Sequence, residues 1–489
     1  MKPGDTVLIN GKPYTLGKQL GHGVQGNVFD MVENEKFVIK VINTNTMSKD
    51  DINLARRRLE WLNDTIAKTD LRHRLTLPKS LLDNQLGYVM LKAKEHDNLY
   101  KYIQINSEDS KTWLKENYSL KKRYQIITLL FQALRDIHIN GLVFTDLSPN
   151  NVMFHKSKTQ IVFIDTDNLR KRTEKYLSVL GTPGYMAPEI YHNADKSIIE
   201  KGKISESVFS KSGIISPDSD IYSAAIIAFQ LLTLQHPFIG DYIEDGEPDL
   251  EESAYRGETE YIFKEGTNNS STSLLCPYFD SLTTPGIRRL FERTFVLGKY
   301  NPKLRPTDVE FIDEFQKALD LVITCPTCGF DNLEFYEKDY SCSMCNSIIN
   351  KHMTLKLFTE FENSSRNDLI NKIVGHQLLD DDILKTKSNQ FEISRIVLEP
   401  NVPRILYNSH FDGSIIKTEA YAQVEFIDSN TISFKVISNK FKYASLMEYK
   451  TTRNVPLKEG KIFIAGDFYV HFDRIESSIS PYKIIGKIE

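Results

Sequence analysis

The stretch of sequence that decides the fold is residues 144–151, which read FTDLSPNN and are followed one strand later by IDTD at residues 164–167. The first stretch places a carboxylate, Asp146, five residues before an amide, Asn151, and the second adds a carboxylate at Asp165. A carboxylate that orients a hydroxyl nucleophile, with an amide and a second carboxylate that hold Mg²⁺ near the γ-phosphate, is what phosphoryl transfer requires. The order of these residues therefore favours a phosphoryl-transfer site.

A glycine-rich stretch near the start of the chain points the same way. Residues 21–28 read GHGVQGNV, with glycines at Gly21, Gly23 and Gly26 and a valine at Val28. Glycines let backbone amides approach phosphate oxygens without an intervening side chain. A dinucleotide-binding turn would open a helix, and a plain hairpin would need no ligand. Because this stretch opens a strand pattern, it favours a hairpin that covers a nucleotide.

The third strand pattern, residues 37–40, ends in Lys40, and a lysine on the inner face of such a strand can pair with the α- and β-phosphates of ATP. Its ammonium needs an acidic partner from a neighbouring helix. The helix pattern that follows carries Glu60, the only glutamate between Glu35 and Glu95. We predict a Lys40–Glu60 pair, with a plain surface position for Glu60 as the alternative.

Residues 181–189 complete the set of motifs with GTPGYMAPE. With all these motifs in order, roughly residues 1–320 resemble the eukaryotic-like protein kinases. By that resemblance five side chains would carry the chemistry: Lys40 and Glu60 as the ATP-anchoring pair, Asp146 as the catalytic base, and Asn151 with Asp165 as the magnesium ligands.

The resemblance also implies supporting roles. Glu189 would pair with Arg305, and Asp220 would open the central buried helix of the large lobe and support the catalytic loop. Residues 86–93 look like the last small-lobe strand running into the hinge, and the positions that would meet the adenine are Met90, Leu91 and Ala93. Thr182 matches kinases that phosphorylate serine or threonine, and residues 181–189 as a whole disfavour a small-molecule kinase. Both features favour a protein substrate.

Several residues depart from the pattern of this family. Phe144 and Thr145 stand where most members have His-Arg, and Ser148 stands where most have a lysine that neutralises the γ-phosphate. Thr166 and Asp167 replace the Phe-Gly of the metal motif. These changes predict slow activity and leave a pseudokinase scaffold as the alternative function. They also resemble a bacterial branch of these kinases that carries C-terminal zinc ribbons, some of whose members occur beside a 2C-type phosphatase.

Four of the five cysteines form two pairs, CPTC at residues 325–328 and CSMC at residues 342–345. Two such knuckles can close one tetrahedral site, so Cys325, Cys328, Cys342 and Cys345 are predicted to bind a structural zinc ion. A redox pair with two unrelated cysteines is the alternative, but neither pair opens a helix after a strand as a thioredoxin motif would.

The last third of the chain returns to short strand patterns. Residues 455–472 resemble the final strands of a forkhead-associated domain, but the arginine and serine with which that family reads phosphothreonine have no clear match. A general β-sandwich used for partner contact is the safer prediction.

Length and composition set the frame for these domains. The chain has 489 residues, 40% of them hydrophobic and 26% charged, with a net charge of −4, which predicts a multidomain globular protein without a nucleic-acid partner. With no secretory signal pattern and no apolar stretch of about 20 residues, we expect no membrane association and a cytoplasmic location.

The predicted fold class is α+β. A two-lobed kinase domain spans residues 1–320, with a small lobe of residues 1–93 and a large lobe of residues 94–320. A zinc ribbon follows over residues 321–352, and an all-β domain completes the chain over residues 353–489.

Overall fold

The structure is a computed structural model of the 489-residue chain. It describes residues 1–23, 26–45, 47–65, 69–105, 110–172, 181–193, 215–273, 275–334, 341–349, 352–360, 390–412, 417, 419–428, 431–437, 441–448, 454–456, 461–464, 468–474 and 483–488.

The helices lie mainly in the first two thirds of the chain. They are α1 (Lys49–Thr65), α2 (Tyr100–Ile103), α3 (Ser110–Asn117), α4 (Leu120–Ile139), α5 (Pro188–Asn193), α6 (Pro217–Thr233), α7 (Asp241–Glu244), α8 (Pro248–Tyr255), α9 (Phe279–Leu282), α10 (Pro285–Glu292), α11 (Asp308–Asp320) and α12 (Ser409–Asp412). In the described part of the chain, no helix is both long enough and apolar enough to span a membrane.

The longer strands lie near the start and in the last third of the chain, and short strands lie between the helices. They are β1 (Thr6–Ile9), β2 (Lys12–Gly23), β3 (Gly26–Met31), β4 (Phe37–Ile42), β5 (Ser80–Leu81), β6 (Gly87–Leu91), β7 (His96–Asn98), β8 (Leu142–Val143), β9 (Val152–His155), β10 (Ile161–Phe163), β11 (Arg170–Lys171), β12 (Val322–Thr324), β13 (Asp331–Leu333), β14 (Met353–Glu360), β15 (Gln390–Leu398), β16 (Arg404–Tyr407), β17 (Ala420–Asp428), β18 (Thr431–Val436), β19 (Phe441–Glu448), β20 (Asn454–Pro456), β21 (Lys461–Ile464), β22 (Phe468–Arg474) and β23 (Lys483–Ile488).

The chain divides into two compact units. The first comprises Met1–Asn106, Leu129–Pro277 and Phe291–Asp308, and the second comprises Ser107–Thr128, Tyr278–Leu290 and Val309–Glu489. Mixed helices and strands give the α+β class that the sequence predicts.

The first unit begins with an antiparallel sheet in the order β1-β2-β3-β4-β6-β5. One face buries Leu16, Phe29, Ile39 and Val89, and alternation along the strands places Lys40 on the other face. Helix α1 opens at a capping box in which the Ser48 hydroxyl and the Asp51 carboxylate each accept a hydrogen bond from the other residue's backbone N–H.

Helix α6 forms the buried centre of the first unit. Pro217 at its first turn and the capping box of Ser216 and Ser219 start the helix, and almost all of its side chains are buried. Leu234, in the left-handed conformation at φ 60°, ends it. A helix that is apolar all round must lie in a core, and this one carries Asp220 there.

The second unit contains a two-stranded hairpin and two larger sheets. The hairpin is β12-β13, and the sheets have the orders β15-β14-β23-β22-β19-β20 and β16-β17-β18-β21. Leu355 and Leu357 of β14 share one buried cluster with Val424 of β17 and Phe434 of β18. Residues of both sheets therefore contribute to one hydrophobic core.

Candidate functional site

The loop that carries Asp146 follows β8 and is fixed by a buried carboxylate of α6. Asp220 accepts hydrogen bonds from the backbone N–H of Phe144 at 2.8 Å and of Thr145 at 3.2 Å, and from His138 Nε2 at 3.0 Å. Thr145 has φ 58°, a strained conformation for a β-branched residue that this carboxylate helps to hold. The expectation that Asp220 supports this loop is confirmed.

His138 lies between two carboxylates, with Nδ1 3.4 Å from Asp308 and Nε2 bonded to Asp220. Burial opposes its charge, but the hydrogen bonds and charges of the two aspartates outweigh burial and raise the pKa of His138 to about 9. The protonated His138 therefore compensates part of the negative charge of Asp220 and Asp308.

Asp146 is held by two neighbours. Its Oδ1 accepts the Thr182 hydroxyl at 2.7 Å, and Asn151 Nδ2 donates to its backbone oxygen at 2.8 Å and to Oδ2 at 3.3 Å. Burial and the nearby charge of Asp165 raise the pKa of Asp146 above its ordinary value. A raised pKa makes the carboxylate a better proton acceptor.

Lys40 lies at the centre of an acidic cluster. Its ammonium donates to Asp165 Oδ1 at 2.6 Å and to both oxygens of Asp167, at 2.8 and 3.0 Å. The Tyr88 hydroxyl donates to Asp167 Oδ1 at 3.1 Å. Burial works against both carboxylates, yet Lys40 keeps the pKa of Asp167 below its ordinary value, whereas burial and the charge of Asp167 leave the pKa of Asp165 raised.

The backbone explains how two carboxylates of one short motif reach the same ammonium. Asp165 adopts the left-handed conformation at φ 59°, so the chain turns sharply after β10. Thr166 is fully buried, and its hydroxyl donates to the Thr76 carbonyl at 3.1 Å. This anchor places Asp165 and Asp167 on the same side of the turn.

The predicted Lys40–Glu60 pair requires a correction. Glu60 is exposed on α1, because the buried Leu59 and Leu62 fix the face that the helix turns inward. Its neighbour Arg58 points toward the site and donates to the Leu169 carbonyl at 2.7 Å. The acidic partners that Lys40 has in this structure are Asp165 and Asp167.

The glycine-rich residues form the hairpin of β2 and β3, in which Gly21 lies opposite Val28 and Gly23 opposite Gly26. A Cβ at Gly26 would lie 2.3 Å from the Val41 carbonyl oxygen, so only glycine fits there. The sheet register continues with Val28 opposite Lys40. The strand pairing predicted for this stretch is therefore present beside the strand of Lys40, while residues 24 and 25 lie outside the described residues.

The predicted hinge follows β6. Met90 is buried, Leu91 is exposed, and Ala93 lies just beyond the end of the strand. The Lys92 N–H donates to the Lys36 carbonyl at 2.9 Å, which ties this segment to the start of β4.

Glu189 and Arg305 form the expected pair, with the guanidinium donating to both carboxylate oxygens at 2.8 and 2.7 Å. Arg305 also donates to the Asp218 carbonyl at 2.9 Å, at the start of α6. A buried two-point pair of this kind fixes the end of the 181–189 segment.

The four cysteines come together in the second unit, with all four sulfur atoms within 4.8 Å of one another. Cys325 and Cys345 sulfurs lie 3.8 Å apart, and those of Cys328 and Cys342 lie 3.6 Å apart. Zinc bonded to four sulfurs at about 2.3 Å would space them by about 3.8 Å. The donor set and its spacing fit a tetrahedral zinc site.

Each cysteine pair closes a turn of the same form. The Gly329 N–H donates to the Cys325 carbonyl and the Asn346 N–H to the Cys342 carbonyl, both at 2.9 Å, and both donors have positive φ, 76° and 57°. Both turns fold the second thiol back beside the first.

Asp331, just after the first turn, accepts hydrogen bonds from the Ser119 hydroxyl at 3.0 Å and the Lys121 backbone N–H at 3.2 Å. It therefore caps the first turn of α4. Phe330 stacks on Tyr118 with ring centroids 6.0 Å apart. The hairpin of β12 and β13, which carries Cys325 and Cys328 between its strands, is packed on the start of this helix.

Two residues of the Lys40 cluster were not predicted. Tyr88 lies directly opposite Lys40 in the β4–β6 register, so its side chain shares the face of that lysine. Asp167 carried a visible signal, an acid two residues after Asp165 at the place of a hinge glycine, but its contact with Lys40 depends on the turn between them.

The sequence of this chain is similar to those of known proteins. The protein kinase domain family matches residues 14–307. The chain is 25% identical over 241 residues to the dual specificity protein kinase TTK of Mus musculus, and the aligned region covers 48% of this chain and 26% of that protein. It is 25% identical over 212 residues to the serine/threonine-protein kinase nekl-2 of Caenorhabditis elegans, covering 42% and 52%.

A bacterial relative is equally similar. The chain is 26% identical over 242 residues to the probable serine/threonine-protein kinase PknB of Lactococcus lactis, covering 47% of this chain and 32% of that protein. The matches span about half the length of these relatives or less. Since the family match covers more than half of the chain, this protein belongs to the protein kinase family.

Proposed function

We propose that this chain is a serine/threonine protein kinase that transfers the γ-phosphoryl group of MgATP to a hydroxyl of a protein substrate. The observation that carries the proposal is the arrangement around Asp146, whose carboxylate contacts both Thr182 and Asn151. Thr182 belongs to the 181–189 segment, which the Glu189–Arg305 pair holds in place. The base and the segment expected to meet the substrate are thus joined by a hydrogen bond.

Asp146 would orient the substrate hydroxyl and accept its proton, which its raised pKa favours. Lys40 would hold the α- and β-phosphates. Asn151 and Asp165 offer the oxygen ligands that Mg²⁺ prefers, and the bound ion would neutralise charge on the phosphates. Because Asp165 is bonded to Lys40 here, it would exchange that contact for the ion when MgATP binds.

The remaining nucleotide contacts would come from the hairpin and the hinge. The residues proposed for them are Gly21, Gly23, Gly26, Val28, Met90, Leu91 and Ala93. The hairpin would cover the phosphates with backbone N–H groups, and the hinge backbone would bond to adenine.

A pseudokinase is the second candidate, and two observations favour it. Asp165 is already bonded to Lys40, so MgATP must break that contact before Asp165 can hold the metal. Ser148, buried beside the loop, supplies no cation for the γ-phosphate. Both features predict slow transfer, and complete loss of transfer would make the chain a scaffold.

Incubation of the purified chain with γ-labelled ATP, Mg²⁺ or Mn²⁺ and protein substrates tests the proposal. We expect label on serine or threonine, and none with Asp146→Ala. Label that is absent from the wild type while MgATP still binds would support the pseudokinase instead. Label on tyrosine would contradict the serine/threonine assignment.

The C-terminal assignments belong to the same proposal. The four cysteines would bind one structural zinc ion in a ribbon over residues 321–352, after a kinase domain of residues 1–320. The two sheets of residues 353–489 would form a β-sandwich for protein contacts. Residues 455–472 of this domain resemble the final strands of a forkhead-associated domain. By resemblance, a 2C-type phosphatase is a partner to test, and a cytoplasmic location remains the expectation.

A further inference from the structure

We propose that Asp167 is the positioning residue that holds Lys40 for nucleotide binding, the task that the sequence assigned to Glu60. The inference rests on the proposed nucleotide site but not on phosphoryl transfer. Asp167 is the last residue of the IDTD motif at residues 164–167 and directly follows Thr166.

The contacts of Lys40 distinguish its two acidic partners. Asp165 offers one oxygen to the ammonium, whereas Asp167 offers both. The side chain of Asp167 is 14% exposed and that of Asp165 is 28% exposed, while Lys40 is 3% exposed. Asp167 is therefore the deeper carboxylate, and Asp165 is the one closer to solvent, where a metal and phosphates can reach it.

Asp167 is itself fixed from two directions. The Tyr88 hydroxyl donates to its Oδ1 at 3.1 Å from the strand next to that of Lys40. The guanidinium of the buried Arg170 donates to its backbone oxygen at 2.8 Å. A carboxylate held in this way can restrain an ammonium more firmly than one on a free side chain.

This arrangement separates two tasks within one short motif. If Asp165 turned to a magnesium ion, Lys40 would keep a carboxylate partner in Asp167. The buried ammonium therefore need not lose its compensating charge when nucleotide binds. An acid at the position of residue 167 thus relieves Asp165 of anchoring the lysine.

Glu60 is poorly placed for the same task. Leu59 and Leu62 are 2% and 0% exposed and define the inward face of α1. Because successive residues of a helix are rotated by about 100°, bringing Glu60 inward would turn Leu59 toward solvent. That cost opposes the pair that the sequence predicts.

The test is nucleotide affinity of the full chain, measured by calorimetry on the wild type, Asp167→Asn, Lys40→Met and the double variant. We expect Asp167→Asn to weaken MgATP binding about tenfold or more, as loss of a charge-assisted contact does. In the Lys40→Met background, the same change should have little further effect, because the two residues act together. An undiminished loss in that background would overturn the proposal.

Four further variants make the test specific. Tyr88→Phe should weaken binding less than Asp167→Asn and in the same direction, and Asp64→Asn on α1 is the surface control. Glu60→Gln tests the rival partner: a loss of affinity equal to that of Asp167→Asn would overturn the proposal. Thermal unfolding of each variant checks that the fold is intact, and Asp167→Glu, which keeps the charge, should recover part of the affinity.

Metal-free binding of ADP in a chelator separates Asp167 from Asp165. Asp167→Asn should still weaken binding there, because Lys40 meets phosphates without the metal, whereas Asp165→Asn should not. Equal losses for the two variants would contradict the division of tasks. If the wild type binds MgATP but transfers no phosphate, the proposed function fails, and the Asp167 proposal is still decided by these affinities.

Discussion

The Lys40 cluster and the cysteine cluster differ in the charged groups that they contain. In the first unit, one ammonium is surrounded by two carboxylates and a tyrosine hydroxyl that come from positions 40 to 167 of the chain. In the second, four thiols from a window of residues 325–345 face one another. The first cluster contains its own cation, whereas the second would take the proposed zinc ion from outside, so we expect its stability to depend on the metal supply as well as on folding.

The largest expected effect is on the cysteine cluster. Cys328→Ser should abolish metal binding and leave residues 321–352 open to proteolysis, because binding energies of about 10–16 kcal/mol in small zinc domains are also folding energy. Metal analysis of the wild type should give about one zinc per chain. Cys276→Ser, at a buried cysteine outside the cluster, should keep the metal. Unchanged zinc content in Cys328→Ser would refute the assignment.

The next effect concerns the two acids of the proposed phosphoryl-transfer site. Asp146→Asn should lower turnover by about 10²–10⁴ and spare MgATP affinity, because this carboxylate acts on the hydroxyl. Asp165→Asn should weaken MgATP affinity as well as turnover. Single-turnover rates and calorimetry separate the two patterns, and identical patterns for both variants would contradict the assigned roles.

A smaller effect is expected at His138, whose cluster of one cation and two carboxylates parallels that of Lys40. Its folded pKa of about 9 lies above the ordinary value of 6.5. The stabilisation is therefore complete below about pH 6.5 and is lost as the pH rises through 9, by up to about 3 kcal/mol. Unfolding measured from pH 6 to 10 should show this slope in the wild type and not in His138→Gln. An equal slope in both would assign it to other groups.

The smallest effect is expected at Thr166, between the two acids of the Lys40 cluster. Thr166→Val keeps the shape but removes the hydroxyl that donates to the Thr76 carbonyl, which should cost about 1 kcal/mol. Denaturant unfolding measures the loss, with Thr6→Val at an exposed position of β1 as the control. Equal stability of the two variants would show that the hydrogen bond adds nothing.

The same contrast explains what could be predicted from the sequence. Cysteine spacing is local, so CPTC and CSMC suffice to predict that their sulfurs meet. The family could also be predicted, because its motifs at residues 144–151 and 181–189 are short stretches that can be read directly from the sequence. The partner of Lys40 is not local: it depends on the phase of α1, set by Leu59 and Leu62, and on the left-handed turn at Asp165. Those two features follow from packing that no motif records.

The Asp331 cap has a consequence for where the chain can be cut. A protein shortened to residue 320 would keep every phosphoryl-transfer motif but lose the acceptor at the start of α4 and the ring that stacks on Tyr118. The Lys121 N–H of α4 would lose its acceptor, and Tyr118 would lose the Phe330 ring that stacks on it. The boundary of a minimal, well-expressed fragment should therefore be placed beyond the second cysteine knuckle, even though the family motifs end well before it.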